Sequence, residues 1–213
     1  EISACLVGSE MCIRDRLDLG DALRLGGESR RALDTILPEA FSLAEAISDN
    51  ARASRTCMLA QYCLIFYGAG WTASFNTPEA VRWIERADHY AKPETIARAW
   101  ADKSIGELKY LAGINTLQYT LMSEGVMLMK RSLELSRRIG DPETFVLTAC
   151  GWLNRVRGPQ HADERRCLVE EMMAFPRTAI TTATLGISLL LIGDVFLESG
   201  QRQRAEECLS ELR

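Results

Sequence analysis

Histidine is nearly absent from this chain: His89 and His161 are the only two in 213 residues. No HExxH pattern occurs, so a zinc-hydrolase helix is excluded. No GxxxxGK[ST] occurs either, and the chain carries no phosphate-cradling P-loop of its own. Seven cysteines are present, an odd number, and no two form a CxxC pair. Most lie among apolar neighbours, which points to buried, reduced thiols in a cytoplasmic protein. No apolar run approaches the ~20 residues that span a bilayer. The run "LLLI" at 189–192 is expected to be core. Aromatics make up only 7% while Ala and Leu abound, which favours helix over sheet. A net charge of −4 argues against a dedicated nucleic-acid surface.

The first sixteen residues, "EISACLVGSEMCIRDR", differ from the rest. Their apolar stretch "ACLV" is too short for a secretory signal core, and acids and arginines follow it. The string "LVGSEMCIRD" resembles the translation of a transposase adapter used in DNA library preparation. Residues 1–16 are therefore set apart as adapter-derived or disordered. Residues 17–213 are expected to be one helical-repeat domain, a fragment of a longer protein.

Helix signals recur along that domain. "NTPEAVRWIERADHYA" places Thr77 at the N-cap, Pro78 at the first helical position and Glu79 in the first turn. "GDPETFVLTACGWL" repeats the logic with Asp141, Pro142 and Glu143. Strand-like alternation bounded by turns is lacking.

Glycines supply a period. Gly20, Gly27 and Ala32 recur in spacing as Gly193, Gly200 and Ala205, while Gly106 with Gly113 and Gly151 with Gly158 repeat the first interval. With Gly68 in the remaining place, the turn glycines fall at 27, 68, 113, 158 and 200, spaced by 41, 45, 45 and 42. A fixed period of this size implies a solenoid of helical hairpins. The first glycine of each unit, as at Gly193, is expected to let helices approach closely. The second, as at Gly113 and Gly200, is expected to end its helix with a positive φ.

This Gly–Gly–Ala spacing resembles the tetratricopeptide repeat, with a period longer than the usual ~34 residues. "TPEAVRWIERADHYA", "SLELSRRIGDPE" and "GPQHADERRCLVEEM" resemble, more narrowly, the repeat region of large bacterial signal-transduction ATPases linked to LuxR-type or nucleotide-cyclase modules. The resemblance implies an all-α, tetratricopeptide-like α-solenoid of about five antiparallel hairpins. It also implies a cytoplasmic, non-catalytic sensor segment used in signal transduction and transcription regulation, whose partner is a protein or the parent protein's own switch domain. A stand-alone scaffold and an α-solenoid enzyme are the alternatives.

Candidate chemistry is thin. "YGAGWTASFNTP" lacks the third glycine of a dinucleotide loop and reads as an inter-helix loop. His161 and Glu164 share a helical face but stand without further ligands in sequence. Cys57 and Cys63, six apart, fall on different helix faces. No cofactor, metal, membrane or direct nucleic-acid partner is expected, and no catalytic residue is assigned. In tetratricopeptide arrays the first helix of each hairpin lines a concave groove. With the first glycine as ruler, the matching positions are Arg55, Tyr62, Trp100, Lys103, Glu107, Tyr110, Trp152, Arg155 and Asp194. Aromatics and arginines are the residue types that anchor binding hot spots. The alternative for Trp100 and Trp152 is plain core filling.

Overall fold

The computed structural model describes residues 2–66 and 77–212. Every regular element among them is helical. The chain divides into two compact units, Glu1–Ala101 and Asp102–Arg213.

The first unit contains α1 (Ile2–Leu25), α2 (Ser29–Arg31), a π-turn over Ala32–Ile36, α3 (Leu37–Ala46), α4 (Asn50–Phe66), α5 (Pro78–Tyr90) and the opening of α6 (Ile96–Thr116). Helix α1 packs on α3 and α4, and α4 packs on α3 and α5. Its core joins Leu17, Leu33, Leu37, Cys57 and Cys63 to Phe41 and Trp83, whose rings meet edge-on at 5.6 Å. Residues 2–16 belong to α1, and Ile13 is buried in this core.

The second unit contains the remainder of α6, then α7 (Tyr119–Ile139), α8 (Pro142–Arg155), α9 (Ala162–Met173), α10 (Thr182–Glu198) and α11 (Arg202–Ser210). Helix α8 packs against α7, α9 and α10, and α10 also packs against α11. Helices α8 and α10 lie side by side and parallel, because their like ends are tied together. At the N-terminal ends, the Glu143 carboxylate accepts from the Thr181 backbone N–H at 2.8 Å and from the Thr184 hydroxyl at 2.6 Å. At the C-terminal ends, Arg165 donates to the Leu153 and Val156 carbonyls and to Glu198, the last at 2.7 Å.

Both capping signals read from the sequence are in place. The Thr77 side chain accepts from the Ala80 N–H at 3.1 Å, and Asp141 accepts from the Thr144 N–H at 2.8 Å. The turn glycines are more varied than their spacing suggests. Gly27 and Gly200 adopt φ of 80° and 75°. In both turns the next residue donates back to a carbonyl five positions earlier, at 2.8 Å, which closes a Schellman-type end.

Gly113 corrects the expectation. It lies inside α6, which runs one turn further, and the left-handed residue is Leu117 at φ 54°. The Gly113 carbonyl instead accepts the closing bond, from the Gln118 N–H at 2.9 Å. Gly158 is extended, at φ −66°. Gly68 and the loop "YGAGWTASFN" lie outside the described residues. Gly193 was expected to be crowded, yet a Cβ there would meet nothing closer than 3.9 Å. Close helix approach is instead served by Gly106 and Gly125, where a Cβ would fall 2.6–2.8 Å from the facing backbone.

Candidate functional site

Four of the nine groove residues converge in the second unit with their side chains enclosed. Lys103 and Glu107 stand one helical turn apart on α6, so their side chains share a face. Lys103 Nζ donates to Glu107 Oε2 at 2.8 Å, and both side chains are essentially without solvent exposure. Such a pair survives burial only through tight geometry, because desolvating both charges costs several kcal/mol each. The other Glu107 oxygen, Oε1, has no hydrogen-bond partner.

Helix α8 closes over this pair at Gly151. A Cβ there would lie 2.9 Å from Lys103 Cε and 3.0 Å from Glu107 Oε1, so any larger residue would have to displace the ion pair for the α8 backbone to sit at this depth. The flanking residues follow from that contact. Cys150 is buried, and burial pushes its thiol up to about 12 although the Lys103 charge works in the opposite direction. It is therefore protonated near neutrality and is no nucleophile. Trp152 is buried, its indole N–H has no acceptor, and its ring meets His161 edge-on at 5.9 Å. Arg155 is buried at the end of α8, where its carbonyl accepts from the Tyr110 hydroxyl at 2.8 Å.

Asp194, on α10, keeps about half its side chain exposed and pairs with Arg157 at 2.9 Å. In the first unit, Trp100 is buried and stacks obliquely on Tyr62, with ring centroids 4.2 Å apart. Arg55 is half-exposed and lies 3.7 Å from Asp18. The sequence positions therefore sort into enclosed residues (Tyr62, Trp100, Lys103, Glu107, Trp152, Arg155), half-buried Tyr110, and the accessible Arg55 and Asp194.

Sequence reasoning missed Asp102 and Arg131. Asp102 is buried beside Lys103 in the chain, and Arg131 of α7 grips it through two bonds, Nε to Oδ2 at 2.6 Å and Nη2 to Oδ1 at 2.7 Å. Nothing in a single sequence pairs residues 29 positions apart on different helices. Arg131 also borders an open cavity of about 360 Å³ on α6 and α7, lined with Lys109, Glu124, Met127 and Leu128. His161 Nδ1 lies 3.6 Å from Glu164 Oε2, and no group of three or more metal-ligating side chains gathers among the described residues. Among those residues, no helix is long and apolar enough to cross a membrane.

No family model matches this chain, and no curated protein shows significant similarity to it.

Proposed function

We propose that this chain is a tetratricopeptide-like solenoid segment of a larger bacterial regulator. It acts by binding a protein partner rather than by catalysis. The observation that carries this reading is the parallel pairing of α8 with α10, tied end to end by Glu143 and Arg165. First helices that stack side by side, each followed by a shorter helix packed against it, are the unit of a helical-repeat array. The packing of α1 on both α3 and α4 follows the same scheme in the first unit. Glycine spacing of 41–45 residues and the phrase resemblance to signal-transduction ATPases favour the parent protein's own switch domain as the partner. The unbridged thiols Cys57, Cys63, Cys150 and Cys208 accord with a cytoplasmic setting.

In this reading the accessible residues Arg55 and Asp194 make first contact with the partner. The enclosed cluster around Lys103 holds the first helices at fixed spacing. The test is to read the coding sequence flanking this segment, produce the nucleotide-binding domain expected there, and titrate it against this chain. Saturable binding that weakens in Arg55→Ala and Asp194→Ala at an unchanged melting midpoint is the expected result. A flank with no GxxxxGK[ST] motif, or a domain that does not bind, overturns the reading.

A further inference from the structure

Helix α7 is engaged by its neighbours around most of its circumference. Gly125 and Met129 meet α6, where a Cβ on Gly106 would fall 2.8 Å from both. The Ser136 hydroxyl meets that of Thr148 on α8 at 2.8 Å. Lys130 and Arg137 reach α9 through ion pairs with Glu164 and Glu171, at 3.2 and 2.8 Å. The remaining face carries Glu124, Met127, Leu128 and Arg131, which the helical period sets together along two turns.

This face holds a knob beside a hole. Met127 is 69% exposed, and it stands at the open cavity of about 360 Å³ that Leu128 also lines. Charges frame the apolar centre. Lys109 of α6 pairs with Glu124 at 2.6 Å, and Arg131 pairs with Asp102. The second pair is lopsided: the Asp102 side chain is enclosed, while that of Arg131 is 62% exposed. The face therefore presents an acid at one end, a cation at the other and apolar side chains between them.

Such an order is its own complement. Turned about a two-fold axis that passes between Met127 and Leu128, Glu124 faces Arg131 of a second copy, and Arg131 faces that copy's Glu124. Each contact is repeated by symmetry, as an isologous interface requires. Met127 of each copy lies against Leu128 of the other and enters its cavity. Charges then alternate in sign on both sides of the axis: Lys109 and Glu124 of one copy, then Arg131 and Asp102 of the other. Two such helices set parallel would bring Glu124 onto Glu124 and Arg131 onto Arg131, so charge selects the antiparallel arrangement.

We propose that a second copy of this chain covers the face, forming an antiparallel two-fold dimer held by reciprocal Glu124–Arg131 ion pairs around Met127 and Leu128. One helix pair buries less surface than a permanent dimer needs, so the association is weak and concentration-dependent. The partner-binding reading rests on Arg55 and Asp194 and this one on α7. Failure of one leaves the other standing, because the test uses no partner domain.

Sedimentation velocity on the whole chain across a concentration series is the experiment. The expected result is a dimer in the micromolar range. Met127→Glu and Glu124→Arg are each expected to weaken it by roughly tenfold or more while helical circular dichroism is unchanged. Leu190→Glu, at an exposed position on α10, should leave it intact. Salt at about 1 M screens exposed charges, so it should loosen the wild-type dimer and tighten that of Glu124→Arg. A wild-type chain that stays monomeric at every concentration overturns the proposal. So does a dimer that survives both α7 variants, one that Leu190→Glu dissociates, or a salt response of the same sign in wild type and Glu124→Arg. Should Met127→Glu lose helicity, Glu124→Arg and its salt response decide.

Discussion

At the scale of the residue, identical sequence signals carry opposite physics. Gly151 and Gly193 occupy the same place in the glycine spacing, 42 residues apart. Gly151 is crowded because Lys103 and Glu107 fill the space its Cβ would need, and they are pinned by each other. Gly193 has room for a methyl group. Alanine gains roughly 0.5–1 kcal/mol of helix propensity at either site, but at Gly151 overpacking costs about 1–3 kcal/mol. Gly151→Ala is therefore expected to lower stability by about 1–2 kcal/mol. Gly193→Ala should hold or raise it. Urea midpoints at constant m-value distinguish the two, and equal losses at both sites would show that the Gly151 contact is no tighter than that at Gly193. The sequence made these glycines look alike because spacing reports position along the chain, not what the neighbouring helix brings to that position.

At the scale of the element, helix content and caps were legible because both are local. Thr77 with Pro78 and Asp141 with Pro142 start their helices where the spacing puts them. Helix ends were less legible. A turn glycine suffices to end a helix, but it is not required. α6 runs through Gly113 and stops with Leu117 in the left-handed region, where a non-glycine residue is strained by roughly 1–2 kcal/mol. Leu117 is 80% exposed, so its side chain contributes little packing there. Leu117→Gly should accordingly raise stability by up to about 1 kcal/mol. Gly200→Val imposes the same strain on a turn that lacks it, and should cost about 1–2 kcal/mol. Opposite shifts in melting midpoint are the expected readout, and a loss in Leu117→Gly would show that the leucine side chain holds the α6–α7 turn. The opening stretch was illegible for a related reason. Residues 1–16 carry little amphipathic pattern, so a buried side chain such as Ile13 leaves almost no signal in periodicity.

At the scale of the whole molecule, the sequence picked out positions on α6 and α8 without telling surface from interior. Lys103 and Glu107 on α6, and Trp152 and Arg155 on α8, were picked out together because the ruler counts from Gly106 and Gly151. Whether a face is groove or core depends on how closely the helices approach, and Gly151 brings α8 down onto the α6 pair. The buried pair then sets a measurable energetic signature. Lys103→Met would remove the cation and leave the Glu107 carboxylate buried without the hydrogen bond from Lys103 Nζ, beside an Oε1 that is already unpaired. Breaking a buried pair from one side typically costs about 3–5 kcal/mol, whereas replacing both members with apolar residues of similar volume is often neutral. Lys103→Met is therefore expected to lose about 3 kcal/mol or more, and Lys103→Met with Glu107→Leu to recover most of that loss. The cycle is read from urea unfolding of the wild type, both single variants and the double variant. A double variant less stable than either single one, by the sum of their losses, would mean that the charges do not act as a pair. Recovery in the double variant would leave specificity of packing, rather than net stability, as the reason for two charges between α6 and α8. It would also make that double variant the right background for asking whether partner binding needs the charges at all.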